Sequence, residues 1–142
     1  MKLYSFDEFL NESAKYTTNK NHSTFALDGL HLRNQIHIFH WQTEVGDQHK
    51  ALGEFYDSFL EKLDEVVEVT MGKYGRISVK GVKSTQSLID LADVNVPEFV
   101  TKYIDTFSTY RDDTFSADPE IQNIIDEIIA SMHKLEYLLT MS

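Results

Sequence analysis

Residues 118–139 read DPEIQNIIDEIIASMHKLEYLL, and this stretch indicates the fold class. Asp118 is a residue type that caps helices, and Pro119 follows at the first helical position, where its missing N–H has no cost. Behind them, an apolar stripe at helical spacing comprises Ile121, Ile124, Ile125, Ile128, Met132, Leu135 and Leu139. The stretch predicts an amphipathic helix near residues 119–140.

The other proline in the chain, Pro97, also stands where a helix would begin. From Val96 to Phe107, apolar residues recur three and four apart, which predicts a helix near residues 96–112. A proline inside a helix removes a hydrogen bond and clashes with the preceding turn. Two prolines placed only at helix starts are therefore typical of an all-helical chain.

Two further apolar patterns predict helices near residues 23–43 and 48–71, the second of which ends at Gly72 and Gly75. The first pattern occupies two sides of its helix, so we expect that helix to be largely buried. Its two sides carry Leu32, Ile36 and Phe39, and Leu27, Leu30, Ile38 and Trp41.

The segment between the second and third helices is long enough to cross a bundle from end to end. Inside it, residues 85–91 are predicted to form a short helix capped by Ser84. Four main helices with a long crossover between helices 2 and 3 describe an all-α, ferritin-like four-helix bundle. The bundle is predicted to span residues 23–142, after an N-terminal extension at residues 1–22.

Composition excludes several classes of function. The chain has 142 residues, 42% of them hydrophobic, which suits one domain with a full core. It contains no Cys, so disulfides and thiolate metal sites are excluded. A net charge of −10 disfavours nucleic acid and anionic lipid as partners. Without a membrane-length apolar stretch or a secretory signal, we expect a soluble, cytoplasmic protein.

Potential metal ligands are concentrated on the first two helices. Five of the six histidines lie between residues 22 and 49, namely His22, His31, His37, His40 and His49. On the next helix, four carboxylates at spacings of four, three and four share one ridge, Asp57, Glu61, Asp64 and Glu68. A bound cation or a second chain would relieve their repulsion. A solvated helix face is the simpler explanation of the ridge alone, and each histidine alone is explained as structural.

Taken together, these residues resemble a known signature. The run His40-Trp41, then His49, then Leu63-Asp64 and Glu68 is similar to the core of the Dps family, the mini-ferritins that oxidise and store iron. The last helix is similar to the final helix of that family, including its Asp-Lys pair and its aromatic end. The resemblance covers about residues 24–142.

The resemblance implies a function and an assembly. It implies a homodimer or larger homo-oligomer in which His40 and His49 of one subunit bind iron together with Asp64 and Glu68 of its two-fold mate. Imidazole and carboxylate ligands suit Fe(II). If the site is an active ferroxidase, it is di-iron, with His40 and Asp64 as catalytic residues, and zinc is the alternative metal.

One position departs from the family pattern. An acid normally stands four residues after the second histidine, where this chain has Gly53. Glu54 or Asp57 is predicted to substitute for it as a metal ligand. Because two iron ions need many ligands, we expect oxidation to be slow or absent, and Gly53→Asp to restore it if the loop permits.

The N-terminal MKLYSFDEFLNE, residues 1–12, resembles the head-targeting peptides of T4-like bacteriophages, with a protease site at Leu10-Asn11-Glu12. This implies a phage-encoded protein in the cytoplasm of a bacterial host or packaged in a phage head. The alternative is a short amphipathic helix with Ser5 and Glu8 as a capping box.

Two other functions remain open on the sequence. One is a non-catalytic structural or interaction protein, head-associated in a phage, that has lost the metal site. The other is a DinB-like bundle that binds a divalent metal through several histidines.

Overall fold

The computed structural model describes residues 19–82 and 87–141, and this part of the chain forms a bundle of four helices that pack together. The all-helical prediction is confirmed there, and each predicted helix is found within a few residues of its expected limits. The helices are α1 (Lys20–Gln42), α2 (Gly46–Tyr74), α3 (Val96–Thr109) and α4 (Pro119–Leu139). A 3-10 turn at Leu91–Asp93 precedes α3, and a π turn at Tyr110–Thr114 follows it.

Neighbouring helices run antiparallel. Along α2 and α4, Lys73 contacts Glu120 and Lys62 contacts Glu127, so residue numbers rise on one helix as they fall on the other. The same reversal relates α3 to α4, because Thr101 contacts Glu136 and Arg111 contacts Asp126. Helices α1 and α2 form a hairpin through a turn at residues 43–45.

Aromatic rings fill much of the space between α1 and α3. Phe25 packs against Phe107 with ring centroids 5.3 Å apart, and Phe39 packs edge-on against Phe99 at 5.4 Å. Fully burying such a side chain stabilises a fold by about 1.5–3 kcal/mol. From α4, the buried part of the predicted apolar stripe completes the core with Ile121, Ile125, Ile128, Met132, Leu135 and Leu139.

The two proline-led helices begin as predicted but are capped differently. Asn95 caps α3 with its side-chain oxygen, which accepts the Glu98 N–H at 3.0 Å. Asp118 occupies the equivalent position before α4, yet its side chain makes no capping hydrogen bond. Its carboxylate contacts Lys73 instead, so the predicted capping role of the Asp118 side chain is wrong.

Helix α1 is not buried on both sides. On its second side, Leu27 and Ile38 are half-buried, whereas Leu30 is 44% exposed and Trp41 is 66% exposed, so the expected burial is confirmed only in part. Close packing occurs on the inner side, where a Cβ at Gly29 would lie 2.4 Å from Cδ1 of Leu63. Glycine therefore allows α1 and α2 to approach each other there.

Two glutamines of α1 hold the connection that leads into α3. The fully buried Gln35 donates to the carbonyl of Ile89 and accepts its N–H, both at 2.8 Å. Two turns later, Gln42 accepts the N–H of Leu91 and donates to the side chain of Asp90, again at 2.8 Å. The helix predicted over residues 85–91 is absent at residues 87–90, and these bonds hold the chain there instead.

Some predictions fall on residues that the structure does not describe. Residues 87–90 are not helical, whereas Ser84 and the rest of residues 83–86 lie outside the described residues. The predicted head-targeting peptide at residues 1–12 also lies outside them. In the part of the chain that is described, no helix has the length and apolarity needed to cross a membrane.

Candidate functional site

His40 at the end of α1 and His49 at the start of α2 form a reciprocal pair across the hairpin turn. His40 Nδ1 donates to the carbonyl of His49 at 2.6 Å, and His49 Nδ1 donates to the carbonyl of His40 at 2.7 Å. The rings stack with centroids 3.7 Å apart. Because a carbonyl oxygen only accepts, each neutral ring carries its proton on Nδ1 and keeps a lone pair on Nε2.

The turn between the two histidines is fixed by Thr43. Its hydroxyl donates to the side chain of Gln48 at 2.5 Å and accepts the N–H of Val45 at 3.2 Å. The backbone N–H of Thr43 ends α1 by donating to the carbonyl of Phe39. These local bonds position both imidazoles without using their Nε2 atoms.

Gly53 makes room for the ring of His40. A Cβ at this position would lie 2.8 Å from Cε1 and 3.0 Å from Nδ1 of His40. An aspartate here would push the imidazole away from the carbonyl of His49. The expectation that Gly53→Asp completes the site stays a prediction, and this contact adds a condition to it, because the imidazole of His40 has to move to admit the new side chain.

Asp64 and Glu68 lie farther along α2, exposed to solvent on the ridge that the sequence predicts. Asp64 is 11 residues beyond Gly53, or about 16 Å at the helical rise of 1.5 Å per residue. Within residues 19–82 and 87–141, no three His, Asp or Glu side chains are grouped so that they could hold a metal ion. One chain therefore does not bring His40 and His49 together with Asp64 and Glu68.

The two proposed substitutes for the missing acid lie on different sides of α2. Glu54 lines a groove between α2 and α4 together with Phe55 and Leu135, away from the histidines. Asp57 lies on the α1 side, where its charge acts on His37. Only Asp57 shares a side of α2 with the histidine pair.

The five clustered histidines have different surroundings. His31 stacks on Tyr103 of α3, with ring centroids 6.3 Å apart. His37 lies between two rings, 4.4 Å from Trp41 and 4.1 Å from Tyr56. Burial, and then the charges of Arg33 and His40, lower the pKa of His37 despite the opposing effect of Asp57.

Tyr56 adjoins the histidine pair, although its spacing assigns it to the apolar stripe of α2. Its ring also contacts His40 edge-on at 5.4 Å and lies under the guanidinium of Arg33 at 5.2 Å. Arg33 Nε is buried and has no hydrogen-bond partner in the described part of the chain. The histidine pair thus has an aromatic and cationic flank on the outer face of α1 and α2.

His22 belongs to a second polar cluster at the opposite end of the hairpin. Lys73 Nζ lies 2.6 Å from the carboxylate of Asp118, whose side chain is only 3% exposed, and the hydroxyl of Tyr74 donates to the same carboxylate. Burial acts to raise the pKa of Asp118, but the hydrogen bonds from Lys73 and Tyr74 outweigh it and lower that pKa. Here the ionic groups neutralise one another inside the chain.

Comparison with known proteins identifies a family. No curated protein and no solved structure matches the chain. Residues 40–139, more than two thirds of the chain, match the model of a family of unknown function, DUF5856. The match begins at His40 and includes His49, Asp64 and Glu68. The chain belongs to the DUF5856 family.

Proposed function

We propose that this protein binds iron(II) as a ferritin-like, Dps-type homodimer, with each site built from both subunits. His40 and His49 of one subunit and Asp64 and Glu68 of its mate are the ligands. The observation that carries the proposal is the reciprocal bonding of the two imidazoles, which leaves Nε2 of each ring as its metal-binding atom. A metal-binding histidine commonly donates its other N–H to a carbonyl in this way.

The stacking of the two rings favours two ions rather than one. Imidazole lone pairs lie in the ring plane, and the two planes are 18° apart with centroids separated by 3.7 Å. An ion shared by both nitrogens would lie well outside each plane. Each histidine therefore holds its own ion, and neighbouring ions are the arrangement that oxidation of two Fe(II) by one oxidant requires.

The carboxylate ridge supports a site shared between subunits. Asp64 and Glu68 are exposed, and the described part of the chain offers them no ion pair. A two-fold mate packed against α1 and α2 would bring its own Asp64 and Glu68 to the histidines. The exposed Leu30 and Trp41 on the same helices supply apolar surface for that contact.

The helix arrangement supports a ferritin-like topology. Contacts of Phe25 with Phe107 and of Phe39 with Phe99 make α1 and α3 antiparallel. Because α2 is also antiparallel to α1, the connection from α2 to α3 has to run the length of the bundle. The glutamine contacts that hold residues 89–91 against α1 are consistent with such a crossover.

Ligand exchange between subunits gives the sharpest test. Two double variants are prepared. One lacks both histidines, as His40→Ala and His49→Ala, and the other lacks both carboxylates, as Asp64→Asn and Glu68→Gln. Each is expected to bind Fe(II) weakly when measured by anaerobic calorimetry. Mixing them after mild unfolding and refolding forms heterodimers with one intact site of two. Random reassociation of equal amounts makes about half of the dimers heterodimers. Recovery of tight binding at about a quarter of the wild-type stoichiometry therefore supports the proposal, whereas no recovery contradicts a shared site.

Matched controls come from the same helices. Glu54→Gln removes an exposed carboxylate of α2 on the side facing α4. His133→Ala removes an exposed histidine of α4 that pairs with Glu136. Both variants are expected to bind Fe(II) as the wild type does. Loss of binding in either one would show that the ligands are misassigned.

Oxidation is expected to be slow. Without an acid at position 53, the site has few carboxylates to stabilise Fe(III), and Asp57 is the candidate on the histidine side. Stopped-flow absorbance after addition of O2 or peroxide measures the rate. Asp57→Asn, which removes this carboxylate charge, is expected to slow the formation of ferric product further.

A second candidate function is a non-catalytic interaction protein built on the same bundle. The observation that favours it is the histidine pair itself, because two hydrogen bonds between α1 and α2 also serve to lock the hairpin. In that case, double replacement of His40 and His49 would lower stability without any change in Fe(II) binding. The exposed Trp41 would then mark a surface for a protein partner.

A further inference from the structure

His22 lies in the first turn of α1 and is almost completely buried. Its ring is 3% exposed and stacks on Phe115 at 5.4 Å, with an angle of 3° between the ring planes. On its other side, the ring of Tyr74 lies 4.9 Å away. A histidine so enclosed cannot gain or lose a proton without disturbing its neighbours.

The hydrogen bonds of Asn19 define where the proton of His22 lies. The side-chain oxygen of Asn19 accepts the N–H of Asn21 at 2.9 Å and caps α1. Its Nδ2 therefore faces Nε2 of His22, 3.2 Å away. An amide nitrogen only donates, so Nε2 accepts and the neutral ring carries its proton on Nδ1. In the described part of the chain, that buried Nδ1 has no hydrogen-bond partner.

The charges around His22 keep the ring neutral at neutral pH. Burial lowers its pKa, and the charge of Asp118 before α4 opposes this only in part. Asp118 already accepts hydrogen bonds from Lys73 and Tyr74 of α2, and Lys73 also pairs with Glu120 of α4. The carboxylates of Asp118 and Glu120 are thus committed to Lys73, and the described part of the chain gives His22 no carboxylate of its own.

Protonation would place two donors face to face. A hydrogen on Nε2 points at the amide nitrogen of Asn19, so the bond between them is lost. Rotation of the amide restores it, because the side-chain oxygen then accepts from His22. That rotation takes the oxygen away from the N–H of Asn21 and removes the cap of α1.

We propose that His22 and Asn19 form an acid-sensitive latch, in which protonation of His22 exchanges the N-cap of α1 for a histidine–asparagine hydrogen bond. The latch loosens the first turn of α1, which begins at Lys20. Burial disfavours the charged ring, so the pKa of His22 in the folded protein lies below the ordinary histidine value of about 6.5. The first turn of α1 therefore begins to loosen as the pH falls below about 6.5, and the loosening is complete once the pH has passed below the folded-state pKa.

Amide exchange measured by NMR on the full chain tests the latch. After correction for the intrinsic pH dependence, exchange at Asn21 is expected to rise about fivefold between pH 7.5 and 5, the effect of losing one N-cap. Amides in the middle of α4 serve as the internal reference. A flat, corrected profile at Asn21 would overturn the proposal.

Two variants separate the latch from general acid sensitivity. His22→Phe keeps a ring against Phe115 but cannot titrate, so its profile is expected to be flat. Asn19→Asp retains the cap, and its second oxygen accepts from protonated His22, so its protection at Asn21 is expected to rise on acidification to pH 5. A fall in Asn19→Asp equal to that of the wild type would contradict the mechanism. Nitrogen NMR that shows the Nε2–H tautomer of His22 at neutral pH would also contradict the mechanism. Neither the exchange measurement nor the tautomer measurement depends on metal binding.

Discussion

The two ends of the α1–α2 hairpin each have a polar cluster that includes histidine, but the polar groups are used differently. At one end, which we call the neutralised end, the carboxylate of Asp118 accepts hydrogen bonds from Lys73 and Tyr74, and its charge is neutralised inside the chain. At the other end, which we call the open end, His40 and His49 form hydrogen bonds through Nδ1 alone, so Nε2 of each ring remains available to a ligand. The comparison teaches that residue type alone does not identify a candidate binding site. His40 and His49 lie near solvent and keep Nε2 for a ligand, whereas Nδ1 of His22, which also has no hydrogen-bond partner in the described part of the chain, is buried.

The largest effect is expected at the neutralised end. Asp118→Ala removes the buried acceptor of Lys73 and Tyr74, and we expect the free energy of unfolding to fall by about 2 kcal/mol. Urea denaturation followed by circular dichroism measures the change. Asp64→Ala is the matched control on the exposed ridge and is expected to leave the urea midpoint almost unchanged. Equal losses in the two variants would remove the distinction between the two ends.

A smaller effect is expected at the open end, where Gly53→Ala should separate binding from stability. Displacing His40 loses a hydrogen bond worth about 1 kcal/mol, and alanine regains about 1 kcal/mol of helix propensity. Stability should therefore be almost unchanged, while Zn(II) affinity falls about tenfold because a positioned ligand is disturbed.

Gly72→Ala provides the control for that experiment. A Cβ at Gly72 meets nothing within 4 Å, so alanine there should stabilise α2 by roughly 0.5–1 kcal/mol without affecting Zn(II) affinity. Isothermal calorimetry and urea denaturation measure both quantities on the same samples. If Gly53→Ala binds Zn(II) as tightly as the wild type, the ring of His40 is not a ligand.

The four helices could be predicted from the sequence because the signals for helix ends and the spacing of apolar residues agree with the observed burial in most helices. Pro97 and Pro119 fix two helix starts by chemistry that acts within a few residues. Burial of the second side of α1 could not be predicted, because periodicity shows that Leu30 and Trp41 share a side but not what covers it. The same limit applies to Asp118, whose capping role is replaced by a contact with Lys73, 45 positions away in sequence.

The candidate site was only partly accessible for a related reason. His40 and His49 could be singled out by their pattern, but their reciprocal bonds depend on the turn at residues 43–45. Gly53 looked like a missing ligand, although its role is to admit the ring of His40. Such a role depends on contacts between helices, which spacing within one helix does not encode.

The pH dependence of stability provides a second test of the neutralised end, because Asp118 contributes to stability only while it is ionised. The folded-state pKa of Asp118 is lowered, so its ionised form contributes stability above the ordinary carboxyl pKa of about 3.9, and this contribution is lost as the pH falls through the folded-state value. The difference in unfolding free energy between the wild type and Asp118→Asn is expected to shrink below about pH 4. A difference that stays constant down to pH 2 would show that the charge of Asp118 is not what stabilises this end.

The smallest effect is expected from Lys62 and Glu127, an ion pair between the same two helices as Lys73 and Glu120. Its nitrogen and oxygen are 2.7 Å apart, close to the 2.6 Å between Lys73 and the buried carboxylate of Asp118, but the side chains are 41% and 60% exposed. Water screens such charges, and ordering two long side chains offsets the remaining attraction. A double-mutant cycle of Lys62→Ala and Glu127→Ala should therefore show no coupling in the free energy of unfolding beyond the error of urea denaturation.

The corresponding cycle on Lys73 and Asp118 should show clear coupling, because the carboxylate there is shielded from water. Coupling of the same size in both cycles would mean that distance rather than burial governs these pairs, and the contrast between the neutralised and open ends would then lose its physical basis.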